Sequence, residues 1–344
     1  MKKIIILFVF LTLLPSACIS KSKVKGYVFG FYNVENLFDT LDDPKTNDSD
    51  FLPDGKNRWT QEKYKKKLQN IAQVIRAMKD ENGKYHTVLG LAEVENLGVL
   101  EDLVREPLVA DAGYRIVHYD SPDRRGIDVA LLYRPDQFKL LDSESIPFSF
   151  KGTRVPLTLD AAAKDYFRTR DILCVHGKVG GEHVAVYVCH LPSRQGGKNG
   201  QMRSVGAEII YNHSREMERK YPGIKVVVMG DMNDNPADES QSVWLHGREK
   251  LSEVGPSDFF DPFWAMHKDG YGSEEYRGEW NIFDIIQVNA NLATAPGGGL
   301  KIQPCGKHYG CVFKRDFLTQ QSGKYKGTPD RNYSDHYPTY IIIK

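Results

Sequence analysis

The sequence has almost no surplus of charge of either sign. Among its 344 residues, 46 are lysine or arginine and 45 are aspartate or glutamate, so the formal net charge is +1. A protein that holds nucleic acid through its overall charge is usually much more basic. The composition therefore argues against nucleic-acid binding through the overall charge of the protein, although a local basic patch is compatible with it.

Long hydrophobic runs, paired cysteine motifs and repeats are also missing. The apolar run at the N-terminus, Ile4–Leu14, is shorter than the roughly 20 residues that a helix needs to span a bilayer. No two of the five cysteines have zinc-finger spacing. No internal repeat or low-complexity linker divides the chain, and its 41% of hydrophobic residues is typical of a globular protein. The length fits either two domains or one large α/β domain.

The N-terminus resembles a bacterial lipoprotein signal peptide. Lys2 and Lys3 precede the apolar run, and small residues then lead to a lone cysteine in LPSAC, which ends at Cys18. The resemblance implies a signal segment over residues 1–18, with Cys18 as the first mature residue and the site of lipid attachment. The protein would then be exported and anchored to a membrane by its lipid, in the periplasm or at the cell surface. Pro15 is unusual in that motif, so an ordinary signal peptide is the alternative.

The other four cysteines divide into two kinds. Cys174 and Cys189 lie in the apolar runs ILCVHG and VYVCHL, which predicts that both are core residues. Cys305 and Cys311 flank the glycine-containing loop GKHYG. In an oxidising compartment that spacing favours a disulfide between them.

Apolar periodicity predicts an α/β protein whose sheets are covered by helices. A helix is expected over 61–78, where Tyr64, Leu68, Ile71, Ile75 and Met78 fall on one face, and a second over 204–220. Between and around these helices, nine short apolar runs are typical of strands: YVFGFYNV, HTVLGLAEV, YRIVHY, IDVALLY, ILCVHGKV, HVAVYVCHL, KVVVMG, FDIIQV and YPTYIII.

Polar side chains gather at the ends of these strands. Each alone has an ordinary explanation, since Asp and Asn are common in turns and a lone histidine is usually structural. Six strands that end or begin in residues suited to hard-metal and proton chemistry instead indicate one shared site. The residues are Asn33, Glu93, His190, Asp231, Asn233, Asp284, Asp335 and His336.

Seven segments, in this order, resemble the endonuclease/exonuclease/phosphatase superfamily: NVENLFD, LAEVEN, RRGIDVALLYRP, CHLPSR, GDMND, FDII and SDHYP. They extend from Asn33 to Pro338. The resemblance implies a four-layer α/β sandwich, in which two packed β-sheets are flanked by helices, and a single domain over 24–344. It also implies a monomer with one divalent ion at the strand ends, Mg²⁺ or alternatively Mn²⁺.

The resemblance implies three metal-site residues. Glu93 corresponds to the principal metal carboxylate, with Asn33 and Asp335 beside it or reaching the ion through water. Carboxylate and amide oxygens suit Mg²⁺, which keeps several waters and leaves room for a phosphate oxygen.

Five further residues correspond to catalytic groups. His336 would be the general base that takes a proton from the attacking water, with Asp284 orienting its ring. Asp231 and Asn233 would orient that water and a phosphate oxygen. His190 would hydrogen-bond the scissile phosphate or protonate the leaving oxygen. A histidine here is similar to the deoxyribonuclease-like branch, because apurinic endonucleases have asparagine at this strand end.

Residues outside the strand ends are candidates for substrate binding. Asp120, in HYDSPDRRG, is a candidate carboxylate partner of His190. Arg125 and Arg194, together with Arg124, are candidates for holding a non-scissile phosphate, since arginine pairs bidentately with phosphate. A solvated loop charge is the alternative for each arginine. The lysine-rich run KYKKK, residues 63–67, is expected to form the solvated face of the first helix.

These features predict a metal-dependent phosphoester hydrolase, with a phosphodiesterase or nuclease acting on DNA or RNA as the first hypothesis. A phosphomonoesterase, or a lipid or inositol phosphate hydrolase of the same fold, is the alternative. A binding module that kept the fold without catalysis is a second alternative. That alternative requires a lost catalytic group, and the eight strand-end residues are all present.

Overall fold

The computed structural model describes residues 25–194, 200–276, 278–318 and 333–344. The predicted signal segment, including Cys18, lies outside the described residues. Among the residues that are described, no helix is both long enough and apolar enough to cross a membrane.

Seven strands form the first sheet, in the spatial order β14–β16–β1–β2–β4–β3, with β15 also pairing with β16. Strand β1 pairs antiparallel with β16 and parallel with β2. The strands of this sheet are β1 Tyr27–Leu37, β2 Val88–Val94, β3 Arg115–His118, β4 Asp128–Tyr133, β14 Ile302–Gln303, β15 Gly310–Val312 and β16 Thr339–Ile343.

The second sheet also has seven strands, in the order β5–β6–β7–β8–β13–β10–β9, and β11 and β12 form a separate pair. Strands β7 and β8 are parallel, whereas β8 and β13 are antiparallel. These strands are β5 Lys139–Ile146, β6 Ile172–Val179, β7 Glu182–His190, β8 Lys225–Asp231, β9 Gly247–Arg248, β10 Phe259–Phe260, β11 Glu274–Tyr276, β12 Glu279–Asn281 and β13 Asp284–Asn289.

The two long helices agree with the sequence periodicity and extend beyond it. The first helix begins after Thr60, whose side chain accepts the Lys63 N–H, and ends at Gly83 with φ 72°. The five apolar residues predicted for one of its faces are all buried. The helices are α1 Gln61–Asn82, α2 Leu97–Arg105, α3 Ala161–Tyr166, α4 Gly200–Lys220, α5 Trp264–Lys268 and α6 Ala290–Ala293.

Alternation along the strands divides the core into two layers. In β1, Phe29 and Phe31 pack with the strands of the second sheet, whereas Val28 and Tyr32 pack with α1 and α2. Helix α4 covers the outer face of the second sheet. The architecture is therefore two packed sheets flanked by helices, which confirms the four-layer prediction. The expected disulfide joins Cys305 and Cys311, and Cys174 and Cys189 are free and buried.

Candidate active site

The register of the second sheet brings three site residues together. His190, the last residue of β7, pairs with Asp231, the last residue of β8, and Asp231 pairs with Asp284, the first residue of β13. Because directly opposite residues lie on the same face of a sheet, the three side chains form a row at one end of it. All three side chains are buried.

The first sheet contributes Asn33 and Glu93 across from this row. The Asn33 amide Nδ2 donates to Asp231 Oδ2 at 3.0 Å and faces Glu93 Oε1 at 3.4 Å. Glu93 has a left-handed backbone, φ 62°, at a β-bulge where the pairing of β2 with both neighbours shifts register. Such a conformation costs a non-glycine residue roughly 1–3 kcal/mol. The bulge turns the Glu93 carboxylate toward the second sheet.

The segment before β16 is anchored to β1 by a chain of hydrogen bonds. The Ser334 hydroxyl donates to the Asn33 carbonyl at 2.7 Å and accepts the His336 N–H at 3.0 Å. The Asp335 N–H donates to Glu35 Oε2 at 3.0 Å. These bonds hold Asp335 and His336 against the strand that carries Asn33.

His336 and Asp284 form a tight buried pair. The distance from His336 Nδ1 to Asp284 Oδ2 is 2.7 Å, and His336 Nε2 lies 3.8 Å from Asp231 Oδ2. Burial by itself would lower the pKa of His336, but the charge and hydrogen bond of Asp284, with Asp335 and Asp231, raise that pKa well above the usual value. The carboxylate therefore orients the ring and stabilises its charged form.

Asp231 is the last residue of β8, and Asn233 lies in the turn that follows it. Both side chains belong to the polar site. The Asn233 N–H donates to Asp231 Oδ1 at 2.9 Å, while the Asn233 amide donates to the Leu191 carbonyl at 3.0 Å. Asn233 has φ 51°, which is the left-handed conformation that asparagine tolerates. Burial raises the pKa of Asp231 to about 7, although His336 opposes the shift.

His190 points toward the carboxylates rather than toward Asp120. Its Nε2 lies 3.4 Å from Asp231 Oδ2 and 3.9 Å from Glu93 Oε1, and its buried Nδ1 has no hydrogen-bond partner among the described residues. Burial and the positive charges of Arg170 and Arg125 lower the pKa of His190 well below the usual value. The imidazole is therefore neutral, which suits a hydrogen-bond donor.

The predicted partnership of Asp120 with His190 is wrong. Asp120 follows β3, the edge strand of the first sheet, and its nearest titratable partner is His118, 4.0 Å from Oδ1. Its side chain is 90% exposed. The mismatch arises because the position of an exposed loop residue depends on which strands neighbour each other, and the local sequence does not specify that order.

The comparison with protein families agrees with this geometry. The family model described as Endonuclease/Exonuclease/phosphatase family matches residues 28–344, which include every residue of the site. The chain belongs to this family. A search of curated proteins found no match.

Several solved structures share the fold of this protein. An endonuclease/exonuclease/phosphatase family protein from Bacteroides thetaiotaomicron is 16% identical, with a TM-score of 0.56, over 93% of this chain and 98% of that one. D. rerio TDP2 complexed with single strand DNA product is 16% identical, with a TM-score of 0.55, over 92% and 98%. A B. thetaiotaomicron mannosyl-6-phosphatase is 16% identical, with a TM-score of 0.53, over 92% and 99%. At this identity the likeness establishes the fold alone.

Arg170 and Asp123 form a buried ion pair next to the site, and the sequence motifs did not predict it. The Arg170 guanidinium donates to the backbone carbonyls of His190 and Leu191 at 3.0 and 2.9 Å. It also pairs with Asp123 at 3.1 Å, and both side chains are buried. The pair fixes the end of β7 and therefore the direction of the His190 ring.

Of the three arginines predicted to hold a phosphate, the structure brings Arg124 and Arg125 to the cleft. Arg125 is half-exposed and lines the same cleft as Glu93, His190 and His336. Arg194 instead pairs with Asp234 and Asp238 and donates to the Asn233 carbonyl at 2.8 Å. Arg194 is therefore paired with two nearby acids in this arrangement, and its contact with a substrate phosphate stays a prediction. It braces the loop after β8.

Lys67 departs from the solvated helix face expected for the KYKKK run. It is buried, and its ammonium donates to the Tyr333 carbonyl at 3.1 Å. Burial lowers the pKa of Lys67, whereas the charges of Glu35, Asp335 and Glu93 oppose that shift. Helix periodicity could have identified the position, because Lys67 lies three residues after Tyr64 and four residues before Ile71, which are both buried.

The donor set fits a hard divalent cation. Glu93 and Asp335 offer carboxylate oxygens, and Asp231 lies beside them, where burial raises its pKa and the charges of Asp284 and Glu93 add to that shift. Asn33 lies beside Glu93, as predicted, and its contact with an ion stays a prediction. Its Oδ1 accepts the Glu35 N–H at 3.0 Å and its Nδ2 faces the carboxylates, so it positions Glu93 and Asp231.

Proposed function

We propose that this protein is a divalent-metal-dependent phosphoester hydrolase that cleaves phosphodiesters, with DNA or RNA as the first candidate substrate. The observation that carries the proposal is the His336–Asp284 pair, 2.7 Å apart, with His336 Nε2 directed toward Asp231 in a cleft that also contains Glu93 and His190. An oriented imidazole beside clustered carboxylates is the arrangement that activates a water molecule.

The general base in this proposal is His336. Asp284 accepts a hydrogen bond from the His336 Nδ1–H, which leaves the Nε2 lone pair to take a proton from water. Asp231 lies 3.8 Å from that nitrogen and can accept a hydrogen bond from the same water. The Asn233 backbone fixes Asp231 Oδ1 at 2.9 Å, so the second carboxylate oxygen is held toward His336.

His190 acts as a neutral hydrogen-bond donor to a phosphate oxygen in this proposal. Its lowered pKa favours this role over that of a proton donor to the leaving oxygen. Arg170 holds the His190 backbone, so the donor position is rigid. Preorganised donors aimed at developing charge are among the larger contributions to catalysis.

Glu93 and Asp335 would hold the divalent ion, with Mg²⁺ as the first candidate and Mn²⁺ as the alternative. The bound ion would neutralise charge on the phosphate and polarise its oxygen. Asn33 keeps the Glu93 carboxylate in place, and the Ser334 hydroxyl keeps the segment with Asp335 against β1.

The basic residues of the cleft favour a substrate with more than one phosphate. Arg124, Arg125 and Arg168 line the cleft beside His190. They could hold flanking phosphates, contacts that give affinity without sequence preference. A phosphomonoesterase is the second candidate, because a mannosyl-6-phosphatase resembles this chain as closely as a DNA-bound TDP2 does. A lipid or inositol phosphate hydrolase remains the further alternative. An inactive binding module is disfavoured, because all eight strand-end residues are present.

The same proposal includes export. We propose that the protein is a monomer whose single domain begins at residue 24 and that a lipid on Cys18 anchors it to a membrane. The support for the lipid anchor is the N-terminal sequence pattern alone.

A substrate panel tests the function. Plasmid DNA, RNA, bis-nitrophenyl phosphate, a sugar 6-phosphate, sphingomyelin and inositol phosphates would each be incubated with the protein and Mg²⁺ or Mn²⁺. Parallel reactions would contain excess chelator or the His336→Ala variant. We expect DNA or RNA cleavage that both treatments abolish. Cleavage of only a monoester or a lipid headgroup would overturn the nuclease proposal, and full activity in chelator would overturn the metal requirement.

A further inference from the structure

Three side chains from adjacent strands form a row on the outer face of the second sheet. Glu144 of β5 pairs with Cys174 of β6, and Cys174 pairs with Tyr187 of β7. Directly opposite residues of antiparallel strands share a face and have Cβ atoms about 4.5–5.5 Å apart. Tyr187 and His190 are three positions apart in β7, so this row faces away from the hydrolytic site.

His213 of α4 completes the group. Its Nε2 lies 3.3 Å from Glu144 Oε1, and its Nδ1 lies 2.8 Å from the Tyr187 hydroxyl. One donor atom each from Glu144, Cys174 and His213 lie within 4.8 Å of one another. A carboxylate, a thiol and an imidazole, from three different elements, therefore converge at one point.

The Tyr187 hydroxyl holds the imidazole as a metal ligand is held. Metal-binding histidines use one ring nitrogen for the ion and hydrogen-bond the other to a fixed group. Here Tyr187 occupies Nδ1, which leaves Nε2 facing Glu144 and Cys174.

The group is also open to solvent on one side. Cys174 is buried at its base, whereas the His213 side chain is 19% exposed and the Glu144 side chain is 56% exposed. Glu144 lies on β5, the edge strand of the sheet. The group is therefore exposed to solvent at the edge of the sheet, on its Glu144 side.

We propose that Cys174, His213 and Glu144 bind a zinc-class divalent ion, with water in the fourth position, at a site separate from the hydrolytic centre. Thiolate and imidazole ligands select Zn²⁺ over Mg²⁺, whereas the carboxylates of the hydrolytic site suit Mg²⁺. The site does not depend on the proposed hydrolase activity.

Binding at this site must displace a proton. Burial raises the pKa of the Cys174 thiol to about 12, so the thiol is protonated in the absence of an ion. The ion replaces that proton on sulfur, and the proton leaves to solvent.

Cobalt titration tests the site. The full chain with Cys18→Ser would be stripped with chelator, desalted and titrated with Co²⁺, and the thiolate-to-cobalt charge-transfer absorption would be recorded. We expect a saturable band that Zn²⁺ removes and excess Mg²⁺ does not. Cys174→Ser should abolish the band, and Cys189→Ser, which changes the other buried free cysteine, should retain it.

Three further variants separate the site from other causes. Glu144→Gln changes an exposed side chain, so it should weaken Co²⁺ binding without unfolding the protein. Tyr187→Phe should weaken binding by about 10–100-fold, the usual effect of removing a group that orients a ligand. Glu93→Gln should leave the band unchanged. No charge-transfer band in the parent protein, or a band that persists in Cys174→Ser, would overturn the proposal.

Discussion

The pairing of His336 with Asp284 predicts that substitutions at the two residues have non-additive effects on the reaction rate. We expect His336→Ala to lower kcat by about 10²-fold or more, the usual scale for a positioned base. Asp284→Asn should have a similar effect, because its carboxylate orients the ring at 2.7 Å. If the two act as a unit, the double variant should be little worse than either single variant. Single-turnover rates of the four proteins measure this, and additive losses would show that the residues act independently.

The same pair sets the expected pH dependence of the reaction. Asp284, Asp335 and Asp231 raise the pKa of His336 against the effect of burial, so the ring loses its proton only as pH rises. The rate should therefore rise with pH along a limb governed by His336. Asp284→Asn removes the main charge that raises this pKa, so the limb should move to lower pH while the maximum rate falls. A kcat/KM profile checks this, and a limb that stays in place or moves to higher pH would contradict it.

At the level of elements, Asp261 after β10 offers a stability test away from the site. Burial raises its pKa from 3.8 to about 7, while hydrogen bonds from the backbone of Phe263 and Trp264 oppose the shift. The folded state thus binds a proton more tightly than the unfolded state. The contribution of Asp261 to the free energy of unfolding should therefore be greatest below pH 4. It should fall by an amount on the order of a few kcal/mol as the pH rises toward 7.

Asp261→Asn removes this titration and keeps an oxygen to accept the Phe263 N–H, which is 2.9 Å away in the wild type. The variant should gain free energy of unfolding relative to the wild type between pH 5 and 8. Denaturant unfolding at several pH values measures the difference. Asp136→Asn, at an exposed position, is the matched control and should follow the wild type. If the free energy of unfolding of the wild type and of Asp261→Asn changed with pH in the same way, the raised pKa of Asp261 would be refuted.

The elements that periodicity predicts are those with one clearly apolar face. Helix α1 and the long buried strands have such a pattern, so the sequence was sufficient to place them. Strand β5 was not predicted, because KLLDSESI is a partly exposed edge strand with charged residues. The short strands β9–β12, β14 and β15 carry too few residues for a periodicity.

The site shows the same division between local and long-range information. Asp231, Asp284 and His336 could be predicted because each stands at the end of a recognisable strand or just before one. The burial of Arg170 depends on its hydrogen bond to the backbone of His190, which lies 20 residues away in the sequence. The position of Asp120 also depends on the order of the strands, and its neighbouring histidine is His118 rather than His190.

On the scale of the whole molecule, the N-terminus predicts where the protein resides. If Cys18 carries a lipid, the wild type should partition with membranes and Cys18→Ser should be released from them. The reason is that a lipid contributes about 0.8 kcal/mol for each methylene buried in the bilayer. Cell fractionation and the mass of the mature N-terminus measure this. A wild-type protein that stays soluble with an unmodified N-terminus would contradict the prediction.

The net charge of +1 also constrains how a nucleic-acid substrate would bind. Because the protein as a whole carries almost no net charge, electrostatic attraction to DNA must come from local arginines. Each phosphate contact contributes about −0.9 to the slope of log affinity against log salt concentration for duplex DNA, or about −0.7 for a single strand. Arg125→Gln should make this slope shallower by about one contact, because Arg125 lines the cleft. Arg219→Gln, at an exposed position at the end of α4, is the matched control and should leave the slope unchanged. The measurement is KM for a DNA oligonucleotide across a series of salt concentrations. Equal slopes for both variants would show that Arg125 holds no phosphate, and the cleft would then favour a small monoester over a polymer.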